Sequence, residues 1–293
     1  MRKTILLFIL FLGALGAHAY NVDATAAYVY SSDHNQAVLG ASVPLGVNTV
    51  IGVRGKYVED KQESVLKENT YSVSLPVQLD LDLVKLNLTP FYYFKNEFSF
   101  AAEKDPYAYG INAQLVMNLQ QNEIDELYTQ GYIGVSYARQ NGILVENAVP
   151  DETDYTQMAY TLGIRQNFFS AFTFHVAATA FHYPNGISDV TAFYGVLDQN
   201  DLAYAQSYDV NRELGKYTLS ARMTRIWAEE QSTLYLGYHF AEFHTATSQH
   251  SFLLGNSFRV GQRAKVDAAY NHLRNSDNKD KRDIFFINLN VAF

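Results

Sequence analysis

The last nine residues, Phe285-Phe286-Ile287-Asn288-Leu289-Asn290-Val291-Ala292-Phe293, carry apolar side chains at Phe285, Ile287, Leu289, Val291 and Phe293. Asn288, Asn290 and Ala292 fall between them and are small or polar. A period of two sends alternate side chains to opposite faces of an extended chain, so the stretch reads as a strand with one apolar face. The same dyad recurs upstream. Tyr71, Val73, Leu75, Val77, Leu79 and Leu81 alternate with Ser72, Ser74, Pro76, Gln78 and Asp80. Tyr107, Tyr109, Ile111, Ala113, Leu115, Met117 and Leu119 alternate with a set that includes Gly110, Asn112, Gln114 and Asn118, and Leu234, Leu236, Tyr238 and Phe240 alternate with Tyr235, Gly237 and His239. These runs last about ten residues or more, which is what a tilted strand needs to cross hydrocarbon, whereas soluble strands average about five or six. After residue 19 no apolar run is long enough to cross as a helix. Strands satisfy every backbone N–H and C=O in lipid only when their sheet closes on itself. The expected fold is all-β, a transmembrane antiparallel up-and-down β-barrel.

A terminal Phe preceded by apolar residues at alternate positions resembles the C-terminal sorting signal of Gram-negative outer-membrane barrels. In length and layout the chain resembles the monomeric porins of about fourteen strands. The resemblance implies that Phe285, Ile287, Leu289, Val291 and Phe293 form the signal read by the barrel assembly machinery. It also implies an outer-membrane location, a lipid bilayer and small solutes or ions as partners, and neither enzymatic activity nor a cofactor.

The other terminus fits export. Arg2 and Lys3 precede an apolar run of thirteen residues, Ile5 to Ala17, and Ala17-His18-Ala19 offers small residues where a signal peptidase inspects them. Residues 1–19 are therefore expected to be a signal peptide and 20–293 the barrel domain. The chain has no cysteine, so no disulfide staples it. Removing Arg2 and Lys3 leaves 20 basic against 30 acidic residues, a net charge near −10. An acidic, aromatic-rich chain without a basic run argues against nucleic acid.

Candidate strands lie near 22–30, 37–45, 49–58, 70–81, 86–95, 107–119, 128–139, 154–166, 171–183, 214–227, 232–243, 250–260, 264–273 and 284–293. The links between them alternate. Short ones, such as 46–48 and 261–263, are expected at the periplasmic end with both chain termini. Longer ones (59–69, 96–106, 140–153, 184–213 and 274–283) are expected outside. The count is fourteen, with sixteen or twelve as alternatives. Link 184–213 decides between them: Val190 to Leu197 and Leu202 to Tyr208 form a loop, or add a hairpin to the wall. Both segments are short and alternate poorly, which favours the loop, and a link of this length is itself a hint of function. Tyr28, Tyr30, Tyr57, Tyr92, Phe94, Tyr107, Tyr217, Phe252, Phe168, Trp227 and Phe293 sit near strand ends, as interfacial girdles require.

If the apolar parity faces lipid, the other faces the lumen. That assignment places Arg54, Lys56, Lys95, Arg165, Lys216, Arg222, Arg259 and Lys265 on the inner wall, against Asp80 and Asp267. Arg54 and Arg222 fall nearest mid-strand, while Arg225 shares the outward parity and is expected to snorkel at the periplasmic edge. A cation-lined wall favours anions. The competing expectation is that these cations pair with link carboxylates such as Glu59, Asp60, Asp151 and Asp198 and close the barrel. Ser72, Ser74, Gln78, Asn112, Gln114, Gln157, Thr161, Thr218, Ser220, Asn288 and Asn290 point to a wet interior narrowed by loops.

Other chemistries lack their parts. His182-Tyr183-Pro184 resembles the histidine turn of outer-membrane phospholipase A, but Pro184 stands where a nucleophilic serine belongs. His250 and Ser251 are adjacent and leave a strand on opposite faces, so no outward His–Ser pair is expected. His239, Glu242, His244 and His250 do not converge on a metal, and Asp277, Asp280 and Asp283 lack the glycine and glutamate of a calcium loop. No plug domain is expected before the first strand. The expected function is a porin-like passive channel for small solutes or ions, leaning toward anions. The alternatives are a closed surface barrel acting in adhesion, recognition or assembly through its external loops, and an outer-membrane lipid hydrolase.

Overall fold

A computed structural model describes residues 22–32, 34–60, 69–94, 107–122, 127–146, 149–168, 171–187, 190–192, 214–227, 232–244, 246–277 and 281–293. The signal-peptide segment 1–19 and Lys95 lie outside the described residues. In chain order the strands are β1 (Asp23–Tyr30), β2 (His34–Pro44), β3 (Thr49–Asp60), β4 (Asn69–Ser74), β5 (Val77–Leu81), β6 (Val84–Tyr93), β7 (Ala108–Asn122) and β8 (Leu127–Glu146). They continue as β9 (Val149–Phe168), β10 (Phe172–His182), β11 (Val190–Ala192), β12 (Gly215–Trp227), β13 (Ser232–Phe243), β14 (Gln249–Val260), β15 (Ala264–Asn275) and β16 (Lys281–Ala292). Each wall strand pairs antiparallel with its sequence neighbour. β1 pairs with β16 from Asp23↔Ala292 to Tyr30↔Phe285, which closes the cylinder. The wall has fourteen strands, and no helix occurs among the described residues.

Two of the sixteen segments explain the difference from fourteen. β4 and β5 are one wall strand, interrupted where Pro76 has no N–H to give. Arg54↔Ser74 and Ile51↔Val77 keep one register against β3, and Ser74↔Phe91 and Val77↔Leu88 keep one against β6. The Pro76 carbonyl still accepts from Gly52 N at 2.8 Å. β11 is outside the wall. It pairs Val190↔Leu144 to Ala192↔Gly142 on the edge of β8 that lies beyond the end of β7, whose last partner there is Ala108↔Gln140. Unpaired strand edges invite pairing, and this one is covered by the chain itself.

Residues 140–153, expected as a loop, instead continue β8 and β9 as a hairpin paired from Asn141↔Asp154 to Glu146↔Val149. Both strands are 20 residues long, well beyond the span of a bilayer. Among its described residues link 184–213 adds no wall strand, and residues 188–189 and 193–213 lie outside the described residues. Ile187 packs against the inward cluster of Tyr155, Phe181, Tyr183 and Phe243.

One parity faces out on every strand. Ile133, Val135, Leu162, Ile164, Val176, Leu219, Leu254 and Ile287 are exposed, as side chains meeting lipid must be when no lipid is present. At the loop end, rings form a belt of close pairs: Tyr57–Tyr71 (5.1 Å), Tyr92–Phe94 (5.4 Å), Tyr238–Phe252 (5.2 Å) and Tyr270–Phe285 (5.4 Å). At the opposite end, which carries the short turns and both termini, outward Arg225 lies over Phe172 (5.4 Å) and Trp227 (5.9 Å). That is the snorkelling geometry expected for it.

Inward aromatic rings fold over glycines on the neighbouring strand. A Cβ on Gly163 would meet Tyr132 Cζ at 2.1 Å, and one on Gly255 would meet Tyr235 Cζ at 2.2 Å. Tyr132↔Gly163 and Tyr235↔Gly255 are direct register partners, so each ring pins its strand pair while covering backbone. Gly163→Val is expected to cost about 1–3 kcal/mol through overpacking. The measurement is the folded, heat-modifiable fraction on SDS gels and the denaturation midpoint in detergent. Gly55→Ala, whose added Cβ meets nothing within 4 Å, should leave both unchanged.

Candidate functional site

The lumen wall is divided by height and by side. On β8 to β15 the inward side chains of the loop-end half are sealed: Ser136, Thr218 and Ala241 show no exposed surface, and Gln140, Gln157 and Thr179 almost none. Their polar groups bond to one another. Thr161 Oγ1 lies 2.9 Å from Thr179 Oγ1, Gln157 Nε2 donates to the Tyr183 hydroxyl (3.0 Å), and that hydroxyl donates to the Gly215 carbonyl (3.0 Å). Ser220 bonds His239 Nδ1. Beside them Tyr155, Phe181, Leu214 and Phe243 form an apolar cluster. Gln157, Thr161, Thr218 and Ser220, expected to mark a wet interior, therefore belong to packed wall. At this rim His244 meets the Tyr183 ring edge to face at 5.6 Å, and burial, then Lys216, hold its pKa below the ordinary value.

The β3–β7 side is more open, and the turn-end half encloses a cavity. Arg54 is exposed on the inner face opposite Gly40, and Lys56, Ser72, Ser74, Thr89 and Asn112 are partly exposed. Lys56 sits over the inward Tyr93 ring at 5.4 Å. Asp80 is paired with Lys85, its register partner on β6, at 3.0 Å. Lys85 faces the lumen and was missed because the expected strand began one residue later. Arg259 and Lys265 are register partners near the turn end. Lys265 lies 4.0 Å from buried Asp267, which also accepts from Asn288 Nδ2 (3.1 Å). Lys216 sits in the register shift between Gly215 and Tyr217, and its ammonium is 3.9 Å from Glu242. A bulge places an extra residue outside the alternation, so strict parity does not fix its side.

Arg165 and Arg222 converge on a residue that parity alone could have found. His175 on β10 is the direct partner of Arg165 on β9 and of Arg222 on β12, so the three side chains stand side by side on the inner wall. The Tyr132 hydroxyl is 2.6 Å from His175 Nε2, and Nδ1 is buried without a hydrogen-bond partner. Arg222 lies over the Tyr235 ring at 5.7 Å. All three basic groups line a cavity of about 500 Å³ in the turn-end half, together with Lys265 and Asp267. Amide side chains complete the lining, among them Asn118, Gln130 and Asn167.

One expectation about the outer face also changes. Ser276 Oγ lies 3.3 Å from His250 Nε2, and the Tyr238 hydroxyl lies 2.7 Å from His250 Nδ1, so an outward His–Ser contact does exist. Ser276 Oγ also donates to the Ser248 carbonyl at 3.0 Å. That bond occupies the proton a general base would take. Sequence adjacency could not reveal the pair, because it forms between β14 and the link after β15.

No family model and no curated protein matches the sequence. Solved structures do match its shape. The "CymD monoaromatic hydrocarbon channel" aligns with a TM-score of 0.55 at 10% identity, over 94% of this chain and 88% of that one. CdiB from Acinetobacter baumannii aligns with a TM-score of 0.53 at 9% identity, over 94% of this chain and 60% of that longer one. The chain folds as an outer-membrane β-barrel. At this identity the likeness carries the fold, and the lining has to be read from its own residues.

Tyr132→Phe removes the hydroxyl that meets His175 and leaves a buried ring nitrogen unsatisfied. The expected loss is about 1–3 kcal/mol, read as a lower urea midpoint in detergent.

Proposed function

We propose that the chain is a porin-like channel for passive diffusion of small solutes or ions, with a lumen that favours anions. The observation that carries this is the open part of the lumen, where Arg54 is exposed at mid-strand and Arg165, Arg222 and Lys265 line one cavity. Asp80 and Asp267 lie beside cations already, which leaves the wall net basic. A field of one sign raises the local concentration of the opposite ion and lowers its barrier to passage.

In this proposal residues 1–19 are removed after export, and the strand ending at Phe293 is read by the barrel assembly machinery of a Gram-negative outer membrane. Phe285, Ile287, Leu289 and Val291 form the outward face of β16, and Phe293 follows its last residue. Deleting Phe293 should lower the yield of heat-modifiable barrel in outer-membrane fractions.

A second function, a closed barrel acting through its external loops, is favoured by the sealed loop-end half of β8 to β15. Planar-bilayer recording separates the two. The channel is expected to conduct with an anion-selective reversal potential in a potassium chloride gradient, and Arg54→Glu should shift that potential toward cations. No current at any voltage would establish the closed barrel, and a cation-selective potential would overturn the charge assignment.

A further inference from the structure

We infer that Arg165, His175 and Arg222 form a binding subsite within the lumen for the oxyanion group of a small hydroxylated solute. This deepens the channel proposal, and it needs only that solutes reach the cavity.

The three side chains occupy consecutive strands as direct register partners. Neighbouring partners lie about 4.5–5.5 Å apart, so the row presents two guanidinium groups with an imidazole between them. Like charges therefore flank the imidazole on both sides. Among the described residues no carboxylate lies within 4.0 Å of Arg165. Asp267, the acid of the cavity lining, is buried and held by Asn288 and Lys265.

The imidazole points the same way. In the tautomer where the Tyr132 hydroxyl donates to Nε2, the ring proton sits on Nδ1. Nδ1 is buried and has no hydrogen-bond partner. A buried donor without a partner is costly, and an oxygen placed between the guanidinium groups would satisfy it. Guanidinium forks match carboxylate and phosphate alike, so the shared chemistry is an oxyanion with two or three oxygens.

The rest of the lining describes the body of the solute. Asn118, Gln130, Asn167, Thr173 and Thr224 supply amides and hydroxyls. Gln130 Nε2 donates to Asn118 Oδ1 (2.9 Å) and Thr173 Oγ1 to Asn167 Oδ1 (3.0 Å), and the remaining donors and acceptors of these side chains suit hydroxyl groups. A volume of about 500 Å³ accommodates a molecule the size of a monosaccharide acid.

The test uses the full chain, purified in detergent micelles and checked for heat-modifiable folding. Gluconate, glucose 6-phosphate and glucose are titrated separately by calorimetry. At least one of the two oxyanions is expected to bind saturably and glucose is not, and comparing gluconate with glucose 6-phosphate identifies carboxylate or phosphate as the preferred group. Arg165→Gln should raise the dissociation constant at least tenfold, whereas Arg225→Gln on the outer face should leave it unchanged. Arg165→Lys, which keeps charge and loses the fork, should fall between wild type and Arg165→Gln. Equal binding of glucose, no binding of either oxyanion, or an unchanged constant in Arg165→Gln would overturn the subsite. If Arg165→Gln does not fold, the ligand comparison on the wild-type chain decides. Binding without conductance would overturn the channel and leave the subsite standing, and conductance without binding would do the reverse.

Discussion

Backbone pairing in hydrocarbon is the constraint on which the rest depends. No water is present there to take an orphan N–H or C=O, so a strand-built protein must leave no edge. The ladder between β1 and β16 meets that demand by joining the two ends of the sheet, from Asp23↔Ala292 to Tyr30↔Phe285. Once the cylinder is closed, each strand has one face toward lipid and one toward the lumen. Apolar and polar side chains are then sorted by position parity alone. Where pairing cannot be complete, the chain provides substitutes, as with the carbonyl of Pro76 accepting from Gly52 and β11 covering the free edge of β8.

The interior follows from the same sorting, with a further division. Against β8 to β15 the loop-end wall is packed, its hydroxyls and amides bonded to each other around Tyr155, Phe181 and Phe243. Along β3 to β7 and toward the turns it is more open, and the basic residues are there. Their placement is what gives the lumen a chemistry. An overall acidic chain presents a cation-rich inner surface because many of its carboxylates lie in the links, where Glu63, Glu68 and Asp201 are examples.

Much of this architecture was legible in the sequence because a period of two survives without any knowledge of tertiary contacts. The strand count, the closing strand, the outward set on β16 and the snorkelling Arg225 all come from parity. What escaped was non-local or irregular. Asn141, Gly142 and Pro150 read as loop, yet pairing between β8 and β9 overrides their local preference. The register shift at Lys216 escaped because a bulge is invisible to strict alternation. His175 carries the inward parity of Ala177 and Thr179, but its importance lies in having Arg165 and Arg222 beside it, and cross-strand register is not written in any one segment. The contact of Ser276 with His250 was hidden for the same reason.

The partition of parities on β16 is open to direct measurement, because the chain has no cysteine to interfere. Single cysteines at 287, 288, 289 and 290 would be challenged in intact proteoliposomes with a charged, membrane-impermeant maleimide. Positions 288 and 290 should label, and positions 287 and 289 should stay protected until detergent is added. Uniform labelling, or labelling at 287 and 289 in place of 288 and 290, would contradict a barrel with lipid on one face of every strand and water on the other.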